Sequence, residues 1–231
     1  MKLLALDTSS LACSVAIRAG EAVFERHEEQ PREHTRLLIP MIRSLLEESA
    51  VGLPELDAIV LGNGPGSFIG IRIAASVAQG LAFGTSLEIA PVSSLAAIAV
   101  RAFHDPEVRE VVVAQDAHMN EVYLGLFERG ADGLPSPLLQ ERLQAIDVIP
   151  ELEPAAMAGR VAAGFGWQRY PDLLQINRDR IGGEAGPLHP RARDLLVLGA
   201  RTVRAGETVQ PRDVLPAYLR QQVAAKPSAR P

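Results

Sequence analysis

The sequence predicts an α/β protein, a mixed sheet with helices on its faces, in a chain long enough for one large lobe or two small ones. Three observations carry that prediction. Strand-like and helix-like runs alternate through the first hundred residues in the order βββαβαβα. Ala, Leu, Ile and Val dominate a chain that is 47% apolar, 22% charged and only 4% aromatic, which suits helices packed closely on a buried sheet. The layout of the opening hairpin also recurs near residue 113.

Residues 3–6 are an apolar burst that stops at Asp7-Thr8-Ser9-Ser10. Two more runs, 13–17 and 21–28, flank Gly20, so three short strands joined by tight turns are expected. From His34 the period changes: Leu37, Leu38, Met41, Ile42, Leu45 and Leu46 recur at helical spacing, opposite Arg43, Glu47 and Glu48. Pro40 falls inside this run and should kink its first turns or mark its true start. A buried strand over 56–61 (LDAIVL) leads into the turn Gly62-Asn63-Gly64-Pro65-Gly66 and a helix over about 70–83. A short strand over 87–90 and a helix over 93–103, capped by Ser93 or Ser94, complete a first lobe of residues 1–104.

After His104-Asp105-Pro106 a strand over 110–115, Asp116, a polar turn and a strand over 122–127 repeat the opening. LALDTSSLACSVAI (4–17) and VAQDAHMNEVYLGLF (113–127) each run strand, Asp, turn of about five residues, strand. Internal duplication produces this, and so does chance, because the pattern is common. Pro135, Pro137, Pro150 and Pro154 then break the chain into short segments. Residues 161–163 resemble a strand before Gly164-Phe165-Gly166, and 190–205 form an amphipathic helix with Leu195, Leu196, Leu198 and Val203 apolar. Residues 105–222 therefore read as a second lobe with fewer helices, and 223–231 as a disordered tail.

The net charge of −5 argues against a chain that grips a polyanion alone, which would need a basic face. Basic residues are scattered, with one mild cluster at Arg191, Arg193, Arg201 and Arg204, and few aromatics are available to stack bases. If RNA is involved, another subunit holds most of it. The lone Cys13 rules out a disulfide framework and a cysteine-rich zinc site, and reads as a small buried hydrophobe. Only four apolar residues precede Asp7, too few for a signal-peptide core, and no apolar run approaches the ~20 residues of a membrane span. A cytoplasmic protein is expected.

Two stretches can carry chemistry. Asp7, Thr8 and Ser9 stand at a strand end, where they bind phosphate or magnesium or simply close an Asx-type turn; no glycine there lets a phosphate approach the backbone. Gly64, Gly66 and Ser67 lie between a strand and a helix, which is either an anion site or a tight turn whose glycines serve packing. No Lys is present in the turn, so this is not a Walker A loop, and no acidic partner completes a dinucleotide fingerprint. The next helix is rich in small residues: Gly70, Ala74, Ala75, Ala78, Gly80, Ala82 and Gly84. They fit a close contact with the chain's own sheet, or an intermolecular bundle with the apolar face of 35–49. His34 has Leu38, not a second His, one turn on, and His118 is equally isolated, so no metal site is expected. There is no G-x-S-x-G elbow and no Cys–His pair in a recognisable setting.

Taken together, LALDTSSLACSVAI, HTRLLIPMI, GNGPGSFIGIRIAASVAQGLAF, VSSLAAIA and DAHMNEVYLGLF resemble the TsaB (YeaZ) family. The likeness is dense over 1–127 and thinner beyond, where 190–199 and PAYLR (216–220) still fit. It implies a duplicated actin/hexokinase-like (ASKHA, ribonuclease H-like) fold. It also implies a role in making threonylcarbamoyladenosine in tRNA, as a non-catalytic platform for TsaD, the paralogue that performs the transfer, with the P-loop ATPase TsaE in the same assembly. Alone, such chains tend to form homodimers through the first-lobe helices that TsaD otherwise engages. On that resemblance the interface is expected at Leu38, Met41, Ile42, Leu45, Ile71, Ala74, Ala75 and Ala78. TsaD-like chains carry an H-x-x-x-H metal pair, here reduced to His34 and Leu38. The second hairpin, Asp116 to Asn120, has neither glycine nor hydroxyl for a phosphate clamp. Both losses predict a pseudo-enzyme without a cofactor, reaching tRNA mainly through partners, and place an older peptidase label in doubt. They leave open a vestigial phosphate site at Asp7, Thr8, Ser9, Gly64, Gly66 and Ser67. The competing readings are a small-molecule kinase or ATPase of the same fold, with Asp7 on magnesium-bound water and Gly164 and Gly166 near the base, or a metallopeptidase.

Overall fold

The structure, a computed structural model, describes residues 1–154, 158–186 and 188–220. Strands β1 (Lys2–Asp7), β2 (Cys13–Ala19) and β3 (Ala22–Glu28) form a meander, followed by helix α1 (His34–Ser49). Strand β4 (Ala58–Gly62), helix α2 (Phe68–Thr85), strand β5 (Ile89–Val92) and helix α3 (Ser94–Ala102) come next. The second half contains β6 (Glu110–Asp116), β7 (Glu121–Arg129), β8 (Pro135–Pro137), β9 (Arg142–Ala145) and β10 (Arg160–Ala163), then α4 (Phe165–Arg169), α5 (Pro171–Ile176), β11 (Gly183–Gly186) and α6 (Ala192–Ala205).

Topology resolves the question of duplication. The first sheet has the order β3-β2-β1-β4-β5, with β1 antiparallel to β2 and parallel to β4. The second runs β8-β7-β6-β10-β11, with β9 also on β7; β6 is antiparallel to β7 and parallel to β10. The same centre, antiparallel wing and parallel wing appear twice. That is the duplicated actin/hexokinase-like layout.

Side-chain alternation makes the sheets the inner walls of a layered sandwich. Leu4 and Leu6 of β1 point with Val15 and Ile17 toward α1 and α2, whereas Leu3 and Ala5 point with Ala16 toward α6. In β6, Val111 and Val113 face the central layer of α3 and α6, while Val112 and Ala114 face α4 and α5. Both faces of each central strand are covered, so these strands read as unbroken apolar runs.

The two halves exchange their third helices. Helix α3 packs on β6, β7, β8 and β10 of the second sheet, and α6 lies across β1 to β5 of the first. Ala192 N donates to Ser14 Oγ at 2.8 Å, and Arg191 pairs with Glu25 at 2.6 Å. Beyond α6, Ile89 and Val209 exchange backbone bonds of 2.9 and 2.8 Å, and Asn63 Nδ2 donates to the Leu215 carbonyl at 2.9 Å. The expected second lobe of 105–222 therefore needs correction: its sheet starts where expected, but residues 191–215 return to the first sheet. The expected tail, 223–231, lies outside the described residues.

Other differences have local causes. Helix α1 begins at His34 and runs through Pro40, which sits on the exposed side. The short strand β5 falls two residues later than expected and contains Pro91, tolerated because β5 is an edge strand. For the same reason β8 accommodates Pro135 and Pro137, the residues that made this region look strandless. Helix α2 is long and apolar enough to cross a membrane by length and composition, yet Ala74, Ala78 and Ala82 seat it against the first sheet.

Asp194, in the first turn of α6, is 5% exposed. Burial pushes its carboxyl up to about 6, against the pull of His104 and Arg101. Its folded pKa stands above the unfolded 3.8, so this group's favourable contribution is complete below about pH 4 and is lost as pH rises through about 6. Asp194→Asn should then be more stable than the parent at pH 8 by about 3 kcal/mol, with little difference at pH 4. Urea unfolding at both pH values reads this; parallel profiles for the two chains would count against it.

Candidate functional site

The candidate phosphate residues do meet. They are engaged with one another. Asp7, at the end of β1, is 1% exposed, and its Oδ1 accepts from Ser9 N and Ser9 Oγ, both at 2.8 Å. Its Oδ2 accepts from Ser94 Oγ at 2.6 Å, and Ser94 Oγ in turn accepts from Gly64 N at 3.1 Å. Burial raises the Asp7 carboxyl from its ordinary range, and the bonds from Ser94 and Ser9 oppose that. Thr8 Oγ1 donates to the Gly70 carbonyl at 2.7 Å, and Ser67 N donates to the Ser9 carbonyl at 2.7 Å. Ser67 also caps α2 by accepting from Gly70 N at 3.2 Å.

The glycines make this closeness achievable. A Cβ on Gly66 would lie 2.2 Å from the Ser9 carbonyl oxygen, and one on Gly70 would lie 1.9 Å from the Thr8 carbonyl oxygen. The turn therefore seats its own backbone on the hairpin, where a phosphate would have to approach. The six residues expected at a phosphate site, Asp7, Thr8, Ser9, Gly64, Gly66 and Ser67, form an Asx-type turn and a close backbone contact in the structure.

The second hairpin is no better suited. His118, Met119 and Asn120 take φ of +60°, +56° and +58°, a run of left-handed residues. Ala117 N donates to the Glu121 carbonyl and Glu121 N to the His118 carbonyl, both at 3.0 Å, and Arg220 donates to the Ala117 carbonyl at 3.0 Å and to Glu121 at 2.5 Å. Gly164 and Gly166, placed near a base by the kinase reading, instead bring α4 onto the backbone of Ala114. Buried His34 has an unpartnered Nδ1 and a pKa lowered by burial, while Leu38, one turn on, is part of the core. Among the described residues no three His, Cys, Asp or Glu are grouped to hold a metal.

The expected interface residues are also misplaced. Leu38, Met41, Ile42, Leu45, Ile71, Ala74, Ala75 and Ala78 are each at most 7% exposed. All but Ile71 anchor α1 and α2 on the first sheet, and Ile71 packs against the Gly64 turn. Of the small residues, Gly70, Ala74, Ala75, Ala78 and Ala82 serve the intramolecular contact, whereas Gly80 and Gly84 face open space. The outer face of α2 is different. Ile69 (69% exposed), Arg72, Ser76, Gly80 and Phe83 (84% exposed) recur every three or four residues, and Ile39, Pro40 and Arg43 lie on the outer side of α1. An exposed phenylalanine between Gly80 and Gly84, both with open space where a Cβ would stand, is the strongest apolar feature of this face. The sequence signal for it was the pair Ile69 and Phe83, one helix face but four turns apart.

Residues 26–155 match the family model described as TsaD, tRNA N6-adenosine threonylcarbamoyltransferase. Over 98% of its length the chain is 36% identical to the tRNA threonylcarbamoyladenosine biosynthesis protein TsaB of Escherichia coli (strain K12), covering 97% of that relative. The chain belongs to the TsaB (YeaZ) family. TsaB of Bacillus subtilis (strain 168) is 27% identical over 95% of the chain and 94% of its own length. The solved structure of YeaZ from Pseudomonas aeruginosa superposes with a TM-score of 0.84 at 37% identity, over 94% of this chain and 99% of that one. In this TsaB-family chain, then, both hairpins are held by internal hydrogen bonds, and among the described residues Ile69 and Phe83 on the outer face of α2 are exposed, while Arg72 packs on Phe68 and Tyr218.

Proposed function

We propose that the chain is a non-catalytic subunit in threonylcarbamoyladenosine synthesis on tRNA, a platform on which a TsaD-type transferase docks. The observation that carries this reading is the contrast between a phosphate hairpin occupied by its own backbone and an adjacent helix that exposes Phe83 and Ile69. Exposed large apolar groups on a regular face are what an interface core is made of. In this reading TsaD binds directly over the outer faces of α1 and α2, and TsaE joins the pair. In the absence of TsaD a second copy of the chain covers the same face. The relatives' names supply the pathway, and the net charge of −5 fits a subunit that leaves most of the tRNA to its partners. The protein works in the cytoplasm, needs no membrane and carries no cofactor of its own.

A threonylcarbamoyl-transfer assay with purified TsaD-type and TsaE-type partners, with and without this chain, tests the proposal. Product formation should fall at least tenfold when the chain is omitted. The chain alone, titrated with Mg-ATP in a calorimeter, should give neither micromolar binding nor turnover; either result would instead favour the kinase reading.

A further inference from the structure

A cavity of about 460 Å³ opens where the two sheets meet, a volume within the range of small-molecule sites. Its walls are largely apolar: Val92 and Ala96 from the first half, Phe127 from β7, Leu198 from α6, and Leu219. Pro91, Pro135 and Pro137 also line it, and a proline contributes a carbonyl but no N–H. Ser93 Oγ donates to Glu141 and Thr202 Oγ1 to the Leu198 carbonyl at 3.3 Å, which leaves the Gln140 amide as the uncommitted side-chain donor among the lining residues. Of the lining groups, Arg201 is already committed, donating to the Pro135 carbonyl at 3.2 Å and lying 3.6 Å from Asp132.

One carboxylate stands in this wall. Glu141, in the segment between β8 and β9, accepts a hydrogen bond at Oε1 from Ser93 Oγ, and Ser93 caps α3 by accepting from Ala96 N at 3.0 Å. No cation pairs with it among the described residues: its neighbour Arg142 makes two 2.7 Å bonds to Glu151. Glu141 is half-buried, and its hydrogen bond from Ser93 Oγ leaves the carboxylate facing the apolar cavity with no counter-ion among the described residues.

We propose that this cavity binds a small primary amine with an apolar body, its ammonium group paired with the Glu141 carboxylate. The ammonium supplies donors that the proline-rich wall lacks, and the hydrocarbon covers the apolar floor. Burial pushes the unliganded Glu141 carboxyl up to about 7, against the bond from Ser93, so the site is only partly charged near neutrality. The charged groups around it are Arg201 with Asp132 on the α6 side and Arg142 with Glu151 on the β9 side. Each pair is an ion pair of its own, so neither supplies Glu141 with a counter-ion. Affinity for a cationic ligand should therefore rise by about tenfold from pH 6 to pH 8, following the ionised fraction of Glu141, while an alkylamine stays protonated up to about pH 10.

Hexylamine is the probe, with hexan-1-ol and hexanoate as shape-matched controls, each titrated into the full chain and followed by ligand-observed NMR at pH 6 and pH 8. Hexylamine should bind at least tenfold more tightly than either control at pH 8, and Glu141→Gln should remove that preference while leaving residual alcohol binding unchanged. Equal binding of amine and alcohol, preference for hexanoate, a flat pH profile or no binding would each overturn the assignment. Tighter binding of the peptide Gly-Lys-Gly than of hexylamine would also overturn it, in favour of a protein side chain as occupant. Should Glu141→Gln fail to fold, the pH profile and the alcohol control on the unaltered chain decide by themselves.

Discussion

Ala78→Glu should destabilise the chain by about 4 kcal/mol, while Phe83→Glu should leave stability within about 0.5 kcal/mol and weaken partner docking. The two positions lie little more than one turn apart on α2 but on opposite faces. Ala78 is fully buried among Leu4, Leu61 and Ile89, where no cation can reach an added carboxylate. The group must either ionise without solvent or take up a proton, and it must also be wedged into a contact sized for a methyl. Phe83 is 84% exposed, so a carboxylate there is hydrated in the free chain. Desolvating it on docking should weaken the complex by roughly 2 to 4 kcal/mol, about 30- to 1,000-fold. Thermal unfolding of both variants beside a pull-down with the TsaD-type partner separates the effects. Full complex formation by a folded Phe83→Glu chain would remove the outer face of α2 from the interface.

That contrast also shows how far the sequence carries. The first hundred residues were legible because each buried strand is an unbroken apolar run and each helix has a 3.6-residue stripe. Ser93 was readable as a cap, whereas Ser67, which caps α2, was not singled out as one and the helix was expected to start at about residue 70. The second half was legible only in part: β6, β7, β10 and α6 lie where the sequence puts them, but the short edge elements were missed, since β8 is three residues with two prolines and β11 is Gly183–Gly186. Nothing local in them distinguishes strand from loop. Partner choice by helices was equally hidden. Periodicity states that α6 has an apolar face but not that this face covers the opposite sheet, with Gly199 seated directly on Val60.

The candidate site failed in a more instructive way. Residue types at 7–9 and 64–67 were those of a phosphate cradle, and they do converge in space. What the sequence withheld was the direction of each bond. Asp7 is satisfied by Ser9 and by Ser94, a residue 87 positions away, and only the fold brings that hydroxyl to it. Likewise, alanines at 74, 75 and 78 indicate close approach by something, and the covering surface turned out to be β1 and β4 rather than another helix.

Gly70→Val puts the close-packed hairpin to a direct test. Its Cβ would stand 1.9 Å from the Thr8 carbonyl oxygen, and Thr8 is fully buried backbone with no freedom to swing aside. Relief requires the first turn of α2 to move off the hairpin. That motion breaks the 2.7 Å bonds from Thr8 Oγ1 to the Gly70 carbonyl and from Ser67 N to the Ser9 carbonyl. Each broken buried bond costs about 1 to 3 kcal/mol and the added volume a similar amount, so a loss of at least about 4 kcal/mol is expected, lowering Tm by roughly 8 to 16 °C. Gly80→Val is the control, since its Cβ meets open solvent and glycine is itself a poor helix former; stability should not fall and can rise by a few tenths of a kcal/mol. Yet Gly80 lies beside Phe83 on the outer face, so the same variant should dock the TsaD-type partner less well despite its intact fold. A Gly70→Val chain as stable as the parent would mean that the turn can retreat from the hairpin without loss. In that event the space above Thr8 and Ser9 is available to a phosphate, and the non-catalytic reading loses its physical basis.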